Sequence, residues 1–596
     1  MTIRRTLLLL VCQLCSVCIY GQSTTTNFDF KKAEKALESV MNQHIEDKET
    51  REQCATIASY VGIHQFSEHR YNAAVRSFEY AINNIGKDND LMQIMNHVFL
   101  VHSLCLTNNR KALTVLQNLT PMLQEMQANT VRGNFPYEYA DGMRTAMNSL
   151  LLPLTSLVSK TFSDKQTREY CFNLMLFLKQ FSFYQLTNRQ TSDIKYNLFI
   201  NYKDAICHQL RPGEIAIEFV PFMDIVGNKV NGISYAAYIL SHTGSLDFVE
   251  VCRKDEVEML YNQNESSWML YSDNATGLRS IIWKKLESYV VNKKKIYVSP
   301  CGILNRVNFI LFNSKVYELT TTPELIKTYR NSYNKKALLI GDVDYNNSIA
   351  NTQRGDRDWG LLRGTKKEIE SIDRSLSSSY SIRKLTNNSV TEQNVRDLCN
   401  QTPDILHFAT HAICYTDSTY RRQLSFFNFP YTFNPIKPEL TYSGLILSGG
   451  NKGFRRINNV PIDNDGIFLA EEITKLNLNG TTLVVLSACD SGNGIFDDIE
   501  GTLGLVTAFK IAGAKTVIAS LSKVDDDAAS EMMSEFYNRM AGKESMHNAF
   551  VNTINYMKKR YPHTPKKWAA FKIIDCYDIN ERLQASNSQY LYHPAK

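Results

Sequence analysis

Two short segments place a reactive side chain directly after a run of apolar residues. Ile405-Leu406-His407-Phe408-Ala409-Thr410-His411-Ala412 ends in a histidine, and Leu483-Val484-Val485-Leu486-Ser487-Ala488-Cys489-Asp490-Ser491-Gly492 ends in a cysteine. A cysteine is a nucleophile only as its thiolate, and a neighbouring imidazole can take or hold the proton. If the two runs are adjacent parallel strands, His411 and Cys489 emerge at one sheet edge and form a workable dyad. A lone cysteine after an apolar strand is more often a small buried hydrophobe, so the pairing carries the reading. Gly492 and Gly494 fit a loop that turns sharply and lets a substrate backbone approach. Two other chemistries fit less well. His407, His411 and Cys414 have the i, i+4, i+7 spacing of a helical zinc site, but the segment reads as strand and turn and lacks the Glu of a zincin. Ser487-Ala488-Cys489-Asp490-Ser491 is not a G-x-S-x-G elbow, which argues against a serine hydrolase.

The elements that must position this dyad are legible around it. After Arg211-Pro212-Gly213 the chain consists of short β-branched runs separated by turns and helix-period segments. Candidate strands are Ile215–Val220, Ala236–Leu240, Ile296–Ser299, Ala337–Gly341, Ile405–Phe408, Leu445–Ser448, Leu483–Ser487 and Thr516–Ser520. Several are near-continuous apolar runs, as expected for parallel strands covered on both faces. Lys366–Leu376, Glu392–Cys399, Leu503–Ala512 and Ala528–Met540 supply the helices between them. From Phe28 to about Leu210 the apolar residues instead recur at three- and four-residue spacing, and this third is expected to be helical. Val61-Gly62, Ala74, Phe78 and Ala81 stand at the offsets of a 34-residue helix-turn-helix repeat, with a blurred echo 38 residues on at Ala112, Leu116 and Leu119. A plain bundle with a small-large-small core stripe is the alternative.

The segments around the dyad resemble the CHAT-domain peptidases, relatives of caspases and separases. His411 in HFATHA and Cys489 in VVLSACDSG are followed by Glu500-Gly501-x-x-Gly504-Leu505, Ala508-Phe509-x-x-Ala512-Gly513-Ala514, Val517–Leu521 and Val524-Asp525-Asp526. EIAIEFV at 214–220, IYVSPCGILNRVNF at 296–309, LLRGTKKEIESI at 361–372, YSGLILSGG at 442–450, GIFLAEEI at 466–473 and WAAFKII at 568–574 follow the same order. The resemblance implies an α/β fold, a caspase-like mostly parallel sheet with helices on both faces, preceded by an all-α helical-repeat domain. It divides the chain into a helical, degenerate tetratricopeptide-like domain at 28–205 and a CHAT domain at 208–576, of which 208–335 is an N-terminal part and 336–576 the catalytic part, with a tail at 577–596. It implies His411 and Cys489 as catalytic residues and the backbone N–H groups of Ala412 and Cys489 as the oxyanion hole. His407 lies about 13 Å back along the strand at ~3.3 Å per residue and reads as a core or support residue. In separase-like relatives an aspartate after the next strand lines the pocket for a basic residue. Asp525 and Asp526 are therefore expected to bind substrate, while Asp527 mainly caps the following helix. Two departures stand out: Ala412 replaces the Gly that many members carry, and Ser522 replaces a tryptophan. The dyad separation exceeds the ~50 residues quoted for caspases, which fits an insertion at Cys414–Tyr442.

Composition bounds what remains. The 596 residues exceed one domain, and 43% hydrophobic content is that of a chain with a core. A formal charge of +6 is far below a nucleic-acid binder's basic stripe, so no nucleic-acid partner is expected. Arg4 and Arg5 followed by the uncharged Leu7–Tyr20 and by Gly21-Gln22 read as a secretory signal at 1–21. Val17 before Cys18 does not suit a lipoprotein, and no later window is long enough to span a membrane. An exported, periplasmic or secreted protein is expected. The ten cysteines after the signal lack a CxxC pair, so neither a disulfide scaffold nor a zinc ribbon is expected, and no cofactor or metal. These readings converge on an exported cysteine endopeptidase acting on a protein or peptide, cleaving after Arg better than Lys, with helical repeats that hold a substrate or regulatory protein. A non-catalytic scaffold is the main alternative and a transpeptidase or ligase a third. The exposed basic pairs Arg421-Arg422 and Arg455-Arg456 are candidate self-processing sites.

Overall fold

The computed structural model describes residues 29–86, 90–131, 151–187, 201–226, 229–263, 277–327, 334–346, 358–414, 438–455, 464–489, 491–497 and 501–577. The expected signal at 1–21, most of the insertion after Cys414 with Arg421-Arg422, and the tail beyond 577 lie outside the described residues, as does Arg456. Two compact units emerge, 1–205 with 220–238 and 246–254, and 206–219 with 239–245 and 255–596.

The first unit is built from helices α1 (Phe30–Val40), α2 (Lys48–Ser67), α3 (Tyr71–Asn84), α4 (Asp90–Leu106), α5 (Lys111–Val131) and α6 (Lys165–Thr187), a helical stretch at 151–161 and the start of α7 (Tyr202–Gln209). Asp47 caps α2 by accepting from the Thr50 N–H at 2.7 Å. His69, at φ 63°, turns the chain into α3. The repeat-like residues form the seam of this pair. Ala74, Phe78 and Ala81 are fully buried, and the Phe78 ring occupies the space a Cβ on Gly62 would need, 2.8 Å away. Phe78 also stacks on Phe99 of α4, with centroids 5.7 Å apart. A polar staple crosses the same helices: buried Gln65 donates to Glu34 and accepts from Ser77, while Arg70 forks onto Glu34 at 2.7 and 3.0 Å. The echo residues Ala112, Leu116 and Leu119 are buried in α5. The unit also takes in residues of a strand hairpin, where Met223 N–H donates to Ser156 and Lys160 pairs with Asp224.

The sheet has eleven strands among the described residues, in the order β3-β2-β1-β4-β5-β16-β15-β12-β8-β6-β7. They are β1 (Glu214–Val226), β2 (Lys229–Ser241), β3 (Leu246–Arg253), β4 (Lys295–Ser299), β5 (Val316–Glu318), β6 (Lys336–Val343), β7 (Ser381–Asn387), β8 (Ile405–Ala409), β12 (Leu483–Ser487), β15 (Thr516–Ser520) and β16 (Phe571–Ile574). From β15 to β7 every printed pairing is parallel, and β16 runs antiparallel to β15. Helices α8 (Arg363–Leu376), α9 (Glu392–Cys399), α10 (Leu505–Ile511), α11 (Asp526–Ala541) and α12 (Met546–Arg560) connect the strands. Leu445–Ser448 is not a strand of this sheet. Its residues extend from β10 (Ser443–Ile446), which pairs antiparallel with β9 (Ala412–Cys414) and β11 (Ile467–Leu469) in a separate small sheet. β13 (Gly494–Asp497) and β14 (Gly501–Gly504) form a hairpin after Cys489.

The apolar core beneath β6, β8, β12 and β15 joins Leu339, Ile405, Val485 and Ile518 to Ile372 of α8, Met532 and Phe536 of α11 and Phe550 of α12. On the β5–β16 side the core is charged. Buried Lys510 pairs with Asp575 at 2.8 Å and with Glu324 at 3.6 Å, and Lys572 pairs with Glu318. Burial alone would lower the Lys510 ammonium, but Asp575 and Glu324 raise it above its usual value. A buried pair broken on one side leaves an uncompensated charge. Lys510→Met is expected to lose about 3–5 kcal/mol of unfolding free energy; a denaturant melt with a parental midpoint would contradict that.

Candidate active site

Four strands deliver the site. In the parallel pairing of β8 with β12, Ala409 lies opposite Ser487. His411 and Cys489 each follow two residues later, so they leave neighbouring strands, ~4.8 Å apart, at the same register. β6 pairs with β8 on the other side, Ile340 opposite Phe408, and β15 pairs with β12, Leu486 opposite Ala519. The exits of β6, β8, β12 and β15 thus bring Tyr345, His411, Cys489 and the segment Leu521–Asp525 to one edge. In open α/β sheets, ligands bind beyond these carboxyl ends.

The imidazole of His411 is fixed on one side. Its Nε2 lies 2.8 Å from the carbonyl of Gly360. A carbonyl can only accept, so Nε2 carries the proton and Nδ1 is left as the basic nitrogen. Gly360 was missed by sequence reasoning, because a backbone acceptor has no side-chain signature. The ring also packs on Tyr345, centroids 4.9 Å apart. The Tyr345 hydroxyl bonds Thr410 Oγ1 at 3.0 Å and the backbone of His411, and Thr410 passes its own hydrogen to the Ile446 carbonyl. The loop that presents Gly360 is itself tied down, since Asn451 accepts from Trp359 N–H and donates to the Trp359 carbonyl. Burial lowers the His411 pKa, opposed in part by the Gly360 carbonyl and by the negative charge of Asp526.

Cys489 is partly exposed, and its Sγ lies 3.6 Å from the Val524 carbonyl. The turn that carries it is stapled to β15: Ser520 Oγ donates to Ala488 O, Ser520 N–H to Ser491 Oγ, and Gly492 N–H to Ser520 O at 2.7 Å. The ten cysteines among the described residues are free thiols. Only Cys54, Cys414 and Cys489 are partly exposed, while burial pushes Cys105 and Cys171 up to about 12. Ala412 has no positive φ, so the Ala for Gly exchange brings no backbone strain. In β9 it lies opposite Leu445, while Ile446 N–H donates to His411 O. Antiparallel pairs alternate between bonded and non-bonded, so the Ala412 N–H points away from β10. That is the side of β9 away from β10, and among the described residues β9 is the edge strand of its sheet.

The three aspartates separate. The helix starts two residues earlier than the sequence suggests, and its cap is Asp525, not Asp527: the Asp525 carboxylate accepts from Ala528 N–H at 3.1 Å. Asp525 is exposed and follows the residue that Cys489 touches. Asp526 turns to α8 instead, where its Oδ2 accepts from Gly364 N–H at 2.6 Å. His407 is fully buried, with Nε2 2.9 Å from Glu368 and Nδ1 3.3 Å from the Tyr537 hydroxyl. Both its ring nitrogens are engaged away from His411, which is incompatible with a zinc site made of His407, His411 and Cys414 in this arrangement.

A cysteine and a singly protonated histidine thus follow neighbouring parallel strands at the same carboxyl edge of the sheet. The family model described as the CHAT domain matches residues 273–575, and the chain belongs to the CHAT-domain family. No curated protein matches the sequence. Among solved structures, the Arg-specific cysteine proteinase gingipain R (RGPB) is 12% identical with a TM-score of 0.31, over 49% of this chain and 65% of that one. The complex of Porphyromonas gingivalis RgpB pro- and mature domains is 11% identical with a TM-score of 0.30, over 54% and 77%. A Saccharomyces cerevisiae separase–securin complex is 10% identical with a TM-score of 0.42, over 96% of this chain and half of that one. Among the described residues no helix is long and apolar enough to cross a membrane.

Partial burial lowers the pKa of the His411 imidazole from its ordinary value. The His411 ring protons in an NMR titration should therefore move with a midpoint below the ordinary ~6.5; a midpoint at or above it would contradict the burial reading.

Proposed function

We propose that the chain is an exported cysteine endopeptidase that cleaves a protein or peptide after a basic residue. The observation that carries this reading is the register that opposes Ala409 to Ser487, because it sets His411 and Cys489 at equal offsets beyond neighbouring strands. Nδ1 of His411 takes the proton of Cys489, and the thiolate attacks the scissile carbonyl. The oxyanion lies against the N–H groups of Ala412 and Cys489. The imidazolium returns its proton to the leaving amine, the C–N bond breaks and a thioester remains. Water then attacks the thioester, giving its proton to Nδ1, and the thiol is restored. The Gly360 carbonyl holds the ring in the tautomer this sequence requires.

Specificity rests on Asp525. It directly follows Val524, whose carbonyl lies 3.6 Å from Cys489 Sγ, and this nearness in the chain supports the reading, while one of its carboxylate oxygens serves the helix cap. A guanidinium can engage a carboxylate in a fork where an ammonium is a point charge, so Arg is favoured over Lys. The helices of the first unit offer a surface for a substrate or regulatory protein. Export rests on the expected signal at 1–21 alone.

Cys489→Ala and His411→Ala are each expected to remove at least about a thousandfold of kcat on arginyl peptides while leaving the melting temperature near the parent's. Asp525→Asn is expected to lower kcat/KM on Arg peptides about tenfold or more. Cleavage of Asp peptides by the parent, or undiminished Arg cleavage in Asp525→Asn, would overturn the specificity. Full activity in Cys489→Ala would overturn the peptidase reading.

A further inference from the structure

Asp526 was expected in the substrate pocket beside Asp525, yet its carboxylate is bonded to α8. It holds the Gly364 N–H at 2.6 Å, in the first turn of α8. The fit is close: a Cβ on Gly364 would stand 2.6 Å from Asp526 Oδ1 and 2.9 Å from its backbone carbonyl. Four residues before Gly364, on the same short segment, is Gly360, whose carbonyl holds Nε2 of His411. Asp526 also acts on His411 directly by charge, in the direction that favours the imidazolium.

A second contact of the same kind lies one turn deeper. Glu368 of α8 bonds His407 of β8 at 2.9 Å, and His407 bonds Tyr537 of α11 at 3.3 Å. Glu368, His407 and Tyr537 are fully buried or nearly so. Strand β8, helix α8 and helix α11 are therefore joined twice. The lower junction is sealed in the core; the upper one, half-buried, ends at the histidine. The charged and titratable groups facing Asp526 are Glu368 from α8, His411 beyond β8, Tyr345 beyond β6, and Asp525 and Asp527 on its own segment.

Resting on the dyad reading above, we propose that Asp526 is the positioning residue of His411. Its carboxylate pins the first turn of α8, and with it the Gly360 carbonyl that orients the ring, and its charge supports the imidazolium that forms when Cys489 gives up its proton. Asp525 and Asp526, adjacent in sequence, thus serve the two ends of the reaction: one the substrate, the other the base. A neutral amide at 526 keeps an oxygen for Gly364 N–H but loses the charge; a methyl group keeps neither.

The test follows the rate of iodoacetamide adduct formation at Cys489 against pH, read by mass spectrometry of that peptide in the full chain, so that it needs no peptide substrate. His411→Ala is the reference arm. Asp526→Ala is expected to slow the reaction at pH 7 roughly tenfold and Asp526→Asn no more than about threefold, since misplacing a catalytic group is the larger loss. In both variants the acid-side inflection should move to lower pH, because a negative charge near the imidazole is gone. Gly364→Ala leaves the carboxylate intact but forces it off α8; it should match Asp526→Ala in rate, and it answers the question if the Asp526 variants fail to fold. On peptides, Asp526→Asn should lower kcat without changing the Arg to Lys preference. A parental rate and inflection in both Asp526→Ala and Gly364→Ala, with His411→Ala slow, would overturn the positioning role alone. A parental rate in His411→Ala would overturn the dyad reading and this role with it.

Discussion

The parallel pairing of β8 with β12, Ala409 opposite Ser487, is the constraint on which the site depends. Neither strand contains Asp, Glu, Lys or Arg, and both are buried along their length. Two apolar strands covered on both faces have no freedom to slip, since a one-residue shift would exchange every side chain between faces. The ladder therefore fixes the relative height of two residues that lie outside it. The flanking strands extend the same logic: β6 brings Tyr345 against the His411 ring, and β15 brings Val524 against Cys489.

Beyond the ladder the site is arranged by hydrogen bonds to backbone. His411 is oriented by a carbonyl, Cys489 touches a carbonyl, and the turn after β12 is held by Ser491 and Ser520 against main-chain groups. Main-chain acceptors move little and add no net charge, so they orient the imidazole without holding it in its charged form. The formal charge of Asp526, a half-buried residue, opposes the desolvation of the ring without abolishing it. Burial and the neighbouring Glu368 in turn raise the Asp526 carboxyl above its usual range.

How much of this could be read from the sequence follows from where the information resides. The strands at 405–409, 483–487 and 516–520 stand where unbroken apolar runs put them, because a covered parallel strand has no polar face to blur its limits. β7, SIRKLTN, escaped notice because it is a largely exposed edge strand in which polar residues dominate. The hairpin β13–β14 is too short and glycine-rich to signal a strand. Leu445–Ser448 read as a main-sheet strand because a small antiparallel sheet buried on both sides has the same apolar texture. The positions of His411 and Cys489 at neighbouring strand exits were legible from the apolar runs before them. Gly360 was not, since it contributes only a carbonyl, and the cap was placed on Asp527 because the helical pattern of side chains starts at Ala528, after two acidic residues already in the helix.

The most direct measurement is covalent capture of the site by a substrate-like reagent: a peptidyl-arginine acyloxymethyl ketone incubated with the intact protein, followed by peptide mapping. The account predicts one adduct, on Cys489, absent from His411→Ala and much weaker with an aspartyl reagent. An adduct on Cys54 or Cys414 in place of Cys489, or equal labelling of Cys489 with and without His411, would contradict it.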